Sequence, residues 1–347
     1  MPAVGKQRRM APLMMLLLLV FAGAVAFRWV TGMLEPVRPG STEAVYVEIP
    51  AGSSTREVAE LLKKVHVIKD ANFFRYFARY RKLDAQLKGG EYELNAGMTP
   101  DQILMKLSRG ETVVRRFTVP EGFTVAQVAD LLASKGLVVR EQFQKAAAVS
   151  KLNASYLPSG VELAQPLEGY LFPSTYDYKP GVTEEQILAM MFARWEQNFG
   201  SDLRARAKEV GLTVHEVMIL ASIIEKEAQV AGERPVIAGV YLNRLQIGMK
   251  LDADPTVRYA AGLGPEEDLK AADMEIESPY NTYRQAGLPP GPIAAPGLAS
   301  MKAALYPQAH DFWYFVAKAD GSGEHYFAKT LDEQEANIEK ARANAGQ

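Results

Sequence analysis

Met10 to Phe27 is an unbroken run of Leu, Met, Val, Phe, Ala and Gly interrupted only by Pro12, and Lys6, Arg8 and Arg9 precede it. The run reaches the length a helix needs to cross a bilayer, and Arg28 with Trp29 supplies an interfacial end. The spacing predicts a cytoplasmic tail over 1–9, a transmembrane helix over 10–30 and an external tether over 31–44 marked by Pro36, Pro39, Gly40 and Ser41. Ala22-Gly23-Ala24 would suit a signal-peptide cleavage site, but the apolar run continues past it and favours an uncleaved anchor. The positive flank orients that anchor as a single pass in the cell (inner) membrane. The N-terminus stays cytoplasmic, and the C-terminal bulk is periplasmic or otherwise extracytoplasmic.

Beyond the anchor the chain is long enough for about two domains in its 347 residues. Lys and Arg number 39 against 41 Asp and Glu, so there is no basic field for nucleic acid. The absence of cysteine excludes disulfides, thiolate metal sites and thiol catalysis. His66, His215, His310 and His325 are scattered without metal-ligand spacing, so no metal and no cofactor is expected. His215 reads as a surface or cap residue and His325 as a solvated residue of a hairpin formed by Phe312–Lys318 and His325–Lys329. Leu331 to Ala345 reads as an exposed terminal helix.

An internal repeat follows the tether. Ile49-Pro50-Ala51-Gly52-Ser53-Ser54 leads into Val58-Ala59-Glu60-Leu61-Leu62, and Val119-Pro120-Glu121-Gly122-Phe123-Thr124 leads into Val128-Ala129-Asp130-Leu131-Leu132. Leu94-Asn95-Ala96-Gly97-Met98-Thr99 is a weaker copy. Each reads as a strand end, a glycine turn, a Ser/Thr N-cap and a short helix. This grammar serves any small α+β unit, and it also resembles the LysM module, a glycan-binding unit of βααβ type. The resemblance predicts a LysM-like region over 45–158.

In the second half, Thr213-x-x-Glu216 is a capping-box pattern opening a helix whose Val214, Val217, Met218, Ala221, Ile224 and Ala228 form one apolar stripe. Counting 100° per residue from Val214, Glu225 falls at about 20°, inside the stripe, whereas Lys226 and Glu227 point away from it. A carboxyl in that place is costly as an anion and suits a general acid. It equally suits a structural pair with a buried arginine, Arg234 or Arg244. Glu168 to Tyr176 mixes aromatics with turn residues. It reads either as the wall of a sugar site or as a turn packed on the core.

The ordered segments Ala221-Ser222-Ile223-Ile224-Glu225-Lys226-Glu227, Tyr241-Leu242-Asn243-Arg244, Asp254-Pro255-Thr256-Val257, Ser278-Pro279-Tyr280-Asn281-Thr282-Tyr283 and Gly287-Leu288-Pro289-Pro290-Gly291-Pro292 together resemble the YceG-like family of endolytic murein transglycosylases. The resemblance implies an α+β architecture with a transmembrane helix, a small LysM-like region and a larger mixed catalytic region over 159–347. It implies that Glu225 is the acid that cleaves the bond between N-acetylmuramic acid and N-acetylglucosamine in nascent glycan strands. Anhydromuramyl ends would result and strand length would be limited. Glu168, Tyr170, Asn243, Asp254, Asn281 and Tyr283 are the expected substrate-binding residues, peptidoglycan strands the substrate and cell-wall synthases the partners. Two alternatives stay open. One is a non-catalytic wall-binding anchor; the other is a hydrolase that adds a second carboxylate such as Glu168 or Asp254.

Overall fold

The computed structural model describes residues 7–157, 163–264 and 267–346, with side chains described from residue 14 onward. The start of the basic tail expected over 1–9 lies outside the described residues, and so does the domain boundary expected at 158/159. The chain is a mixed helix-and-strand structure. Its first element, α1 (Gln7–Leu34), carries a 21-residue stretch from Met14 to Leu34 with mean hydropathy 2.0, none of it buried. Such a helix is long and apolar enough to span a bilayer.

The rest divides into two compact units, one running up to Arg115 with Asp177–Gly181, the other comprising Arg116–Tyr176 and the chain from Val182. The first unit contains β1 (Val45–Ile49), α2 (Thr55–Lys64), α3 (Ala71–Tyr80), β2 (Gly90–Leu94) and α4 (Pro100–Arg109). β1 and β2 pair antiparallel with Val47 opposite Tyr92. Strand alternation turns Val47, Ile49, Tyr92 and Leu94 inward, where they meet Val58, Leu62, Phe74, Ile103 and Leu107 in one core.

The second unit begins with β3 (Arg115–Val119), α5 (Val125–Ser134), α6 (Arg140–Ala148) and β4 (Ser174–Tyr178). It continues through α7 (Glu184–Asn198), α8 (Ser201–Glu209), α9 (Val214–Glu227), α10 (Arg234–Gln246) and α11 (Asp254–Ala261). It ends with α12 (Leu298–Leu305), β5 (Tyr314–Ala317), β6 (His325–Ala328) and α13 (Leu331–Ala345). β3 pairs with β4, and β5 forms a hairpin with β6, Tyr314 facing Ala328. The hairpin and the terminal helix stand where the sequence places them. α13 is exposed apart from one face that buries Asn337 and Ala341.

The repeat is realised in backbone chemistry. Ser54, Thr99 and Thr124 each cap a helix reciprocally with the side chain three residues on, namely Glu57, Gln102 and Gln127. In the first and last copies the preceding turn needs a left-handed residue, and Gly52 and Gly122 supply it at φ 81° and 73°.

Trp195 of α7 anchors the second core. Its ring stacks on Phe199 at 5.6 Å and meets Tyr170 edge-on at 4.9 Å, while its indole N–H donates to the sulfur of Met218 at 3.3 Å. These contacts seat α9, whose residues from Val217 to Ile224 are all buried. Thr213 starts that helix by accepting from the Glu216 amide at 3.2 Å while Glu216 returns the bond to the Thr213 amide at 2.7 Å. Thr213→Ala removes this cap, and the midpoint of urea unfolding should fall by the equivalent of about 1 kcal/mol.

Candidate active site

Glu225 lies in the last turn of α9, and its side chain is 7% exposed. One carboxylate oxygen, Oε2, accepts from the amide of Gly297 at 3.0 Å and from the hydroxyl of Ser300 at 2.6 Å. Arg234 donates from Nε to that same hydroxyl at 3.1 Å, and its Nη2 stands 3.7 Å from Glu225 Oε1. Gly297 is the N-cap of α12, so the carboxylate sits over the N-terminus of one helix while belonging to the C-terminus of another. The first position favours negative charge and the second disfavours it. The arginine pair that the sequence left open is therefore present, and Arg234 makes it.

A second carboxyl stands beside the first. Glu121 follows Pro120 in the turn after β3, and that turn is clamped onto the segment before α12 by two main-chain bonds. Gly122 donates to Ala295 and Ala295 donates to Phe123, both at 2.8 Å. The Glu121 carboxylate rests against the α-carbon of Gly297, where a β-carbon would collide with it. Loss of surrounding water raises the Glu121 carboxyl above the usual range, and the charge of Glu225 raises it further, with Arg234 acting in the opposite sense. Unlike Glu225, Glu121 is an exposed residue.

The other expected site residues are placed as follows. Glu168 is buried, accepts from the Val125 amide at 3.1 Å and from the Tyr259 hydroxyl at 3.3 Å, and lines a cavity of about 420 Å³ with Gln127, Lys226 and Arg258. Tyr170 is wholly inside the core, its hydroxyl on His215. Asn243 donates to the carbonyls of His310 and Phe312, and Asn281 to those of Met274 and Ile276. Tyr283 donates to Asp254 at 2.6 Å. No hydrogen bond or ion pair described here joins any of these six to Glu225.

The YceG-like family model matches residues 47–340. The chain belongs to the YceG-like family. The endolytic murein transglycosylase of Bacillus subtilis is 37% identical over 332 residues, covering 91% of this chain and 89% of that one. The enzyme of the same name from Streptococcus pneumoniae is 33% identical over 354 residues, and the match takes in 94% of this chain but 63% of that longer one. A crystal structure of a YceG-like protein from Listeria monocytogenes superposes with a TM-score of 0.58 at 38% identity, covering 85% of this chain and 99% of that one.

Within this YceG-like site several side chains depart from their expected places. Glu227 does not face solvent on the outer side of α9. Its carboxyl accepts from the Tyr241 hydroxyl at 2.7 Å, and desolvation pushes it up to about 7. The apolar stripe is one face of a helix that is covered on both sides, so phase alone does not distinguish outside from a second interior. His215 is 2% exposed, not a surface residue. Its Nε2–H donates to the Pro290 carbonyl at 2.8 Å, which leaves Nδ1 to accept from Tyr170 at 2.9 Å. Burial holds its basicity below the ordinary histidine range. His325 is not solvated either; its Nδ1 lies 2.7 Å from Glu233 Oε2.

Sequence reasoning missed Glu121, Gly297 and Ser300. One signal for Glu121 was present. The repeat holds Ala51 where the second copy holds Glu121, so a charge was added to a turn whose backbone needs none.

Desolvation dominates Glu168, pushing it from the ordinary glutamate range up to about 8 despite its hydrogen bonds. The folded state therefore holds a proton that the unfolded chain releases, and wild-type stability falls as pH rises from the unfolded value through about 8. Glu168→Gln does not titrate, so relative to wild type it should gain on the order of 4 kcal/mol between pH 5 and pH 9 in thermal unfolding.

Proposed function

We propose that this YceG-like protein is a membrane-anchored lytic transglycosylase that cuts peptidoglycan glycan strands internally, with Glu225 as acid and base. The observation that carries the reading is the Glu225 carboxyl itself. It is nearly buried, oriented through Oε2 by Gly297 and Ser300, and has the exposed Glu121 as its neighbour. The same function is named for relatives that match nearly the whole chain.

The reaction needs one group that gives a proton and takes one back. Glu225 donates to the glycosidic oxygen between N-acetylmuramic acid and N-acetylglucosamine, and the bond from that oxygen to the muramyl anomeric carbon breaks. The C6 hydroxyl of the same muramyl ring attacks that carbon and its proton returns to Glu225. The products are an N-acetylglucosamine hydroxyl end and a 1,6-anhydromuramyl end, with no water consumed. Attack within one ring gains the advantage of proximity, provided the cleft holds the ring in a reactive pucker. Fixing Oε2 on two donors leaves Oε1 as the oxygen that exchanges the proton, and Arg234 faces it.

The remaining parts of the reading follow from position. α1 anchors the enzyme by a single pass with the basic N-terminus in the cytoplasm, so that cutting is confined to glycan near the membrane and limits new strands. The βααβ order of β1, α2, α3 and β2 supports a LysM-like role for the first unit in holding glycan. Cell-wall synthases are the fitting partners for an enzyme so placed. The cavity beside Lys226, with Glu168 at its wall, offers a place for part of the substrate.

A hydrolase reading draws on Glu121, since a second carboxylate near the first is what hydrolysis of a glycoside requires. Mass spectrometry of products from uncrosslinked glycan strands separates the two. The purified full chain in detergent should yield anhydromuramyl ends, and Glu225→Gln should lower their rate by at least about 1,000-fold. Reducing ends, heavier by one water, would make it a hydrolase, and undiminished cleavage by Glu225→Gln would remove Glu225 from the mechanism.

A further inference from the structure

Two carboxyls bracket one glycine in this site. The amide of Gly297 donates to Glu225, and the α-carbon of Gly297 carries no side chain where the Glu121 carboxylate lies. The backbones that carry the two groups are fixed against each other. Glu225 is fixed by Ser300 and Gly297, while the turn that carries Glu121 is fixed by the paired bonds of Gly122 and Phe123 with Ala295. A β-carbon built on Gly122 would stand 3.8 Å from Cγ of Glu225, so the turn lies directly on the helix.

We propose that Glu121 is a positioning residue for Glu225, the two forming a carboxyl pair that holds one proton between them at working pH. The inference rests on the acid role argued above for Glu225 and supplies what that role needs, a reason for the site to hold a proton near neutrality. Like charges this near resist joint ionisation, and a pair of this kind titrates as a unit. The charged groups around it leave room for that proton. Arg234, from the start of α10, faces Glu225 at 3.7 Å and is the one guanidinium with an ion pair to it among the described residues. Lys226 of α9 directs its ammonium to the Gly122 carbonyl at 3.4 Å, with Arg258 of α11 acting on that ammonium. Glu233 is engaged by His325, and Glu227 by Tyr241, on other faces. Glu121 is displaced upward first by loss of surrounding water and then by the charge of Glu225, with Arg234 acting in the opposite sense. Proton balance is unchanged, since Glu225 gives one proton to the leaving oxygen and recovers one from the C6 hydroxyl. Glu121 acts only on the availability of that proton.

The test is the pH profile of kcat/KM from 5 to 9 for the full chain in detergent, following anhydromuramyl ends from uncrosslinked glycan strands. Wild type, Glu121→Gln, Glu121→Asp and Glu225→Gln are compared, with thermal melting beside each. In Glu121→Gln the limb on which activity falls with rising pH should move down by about one unit, a loss of roughly 10-fold in kcat above neutrality with KM little changed. Glu121→Asp should return part of that limb toward wild type. A Glu121→Gln profile of wild-type shape, whether at full height or uniformly lowered, overturns the pair. Should Glu121→Gln melt early, Glu121→Ala takes its place: a limb moved down supports the pair, and a profile of wild-type shape overturns it. Full activity in Glu225→Gln would overturn the acid role and the pair together. An inactive Glu225→Gln beside an unshifted Glu121→Gln overturns the pair only.

Discussion

The carboxyl of Glu225 joins the end of one helix to the start of another, and the second unit is organised around that junction. α9 and α12 share the most extensive helix contact in the unit. At the meeting point, Glu225 accepts from the amide of the α12 N-cap, as the third residue of a helix does in a capping box, but from a different helix. The segment leading to α12 is pegged along α9 at intervals. Pro290 accepts from His215, Ile293 donates to Ser222, and Gly297 donates to Glu225. All of Gly291–Gly297 is buried, which would strand amide donors in most sequences. Here Pro292 and Pro296 bring no donor, and Ile293, Ala295 and Gly297 each have a partner. Proline thus removes two of the donors that an irregular buried segment would otherwise have to satisfy.

The last turn of α9 carries two acids that face different surroundings. Glu227 is shut in with Tyr241, with Arg244 and Asp254 acting on it through space. Glu225 has instead an exposed carboxyl for a neighbour, and an arginine that is itself 14% exposed. A proton exchanged with a large polymer has to pass through a surface the polymer can reach. Both acids are themselves partly covered; the neighbour of Glu225 is an exposed carboxyl, and that of Glu227 is the hydroxyl of the buried Tyr241. Perturbed acidity alone would have chosen Glu227 or Glu168.

What the sequence discloses follows the range of the interactions involved. Helix starts set by a Ser or Thr and the Glu or Gln three places on were legible, because both partners lie within one turn: Thr213 with Glu216, Ser54 with Glu57, Thr124 with Gln127. The placing of Glu225 within an apolar stripe was legible for the same reason. Its partners were not. Gly297 and Ser300 lie 72 and 75 positions away, and His215 meets Pro290 across 75 positions. Nothing local in a histidine one residue past an N-cap reveals that an aromatic core and a proline loop close over it. Likewise His325 belongs to a hairpin whose turn is solvated, and only tertiary packing brings Glu233 to it across 92 positions.

The repeat shows how one piece of local structure can acquire a second use. Both Gly52 and Gly122 adopt left-handed turns before a capped helix, and both turns would form without any neighbour. The surroundings differ. No atom stands within 4 Å of the missing β-carbon of Gly52, whereas Lys226 and Glu225 both approach that of Gly122. The turn is thus a rigid mount in each copy, and only the second is mounted on α9. The backbone of the residue preceding the glycine is then held against α9. Ala51 in the first copy makes no use of that rigidity, but a carboxyl at Glu121 does, because an electrostatic influence on a neighbour is only as steady as the distance that sets it. A long side chain on a flexible loop would average its effect over many distances; on a turn clamped by two main-chain bonds that spread narrows to the rotamers of the side chain itself.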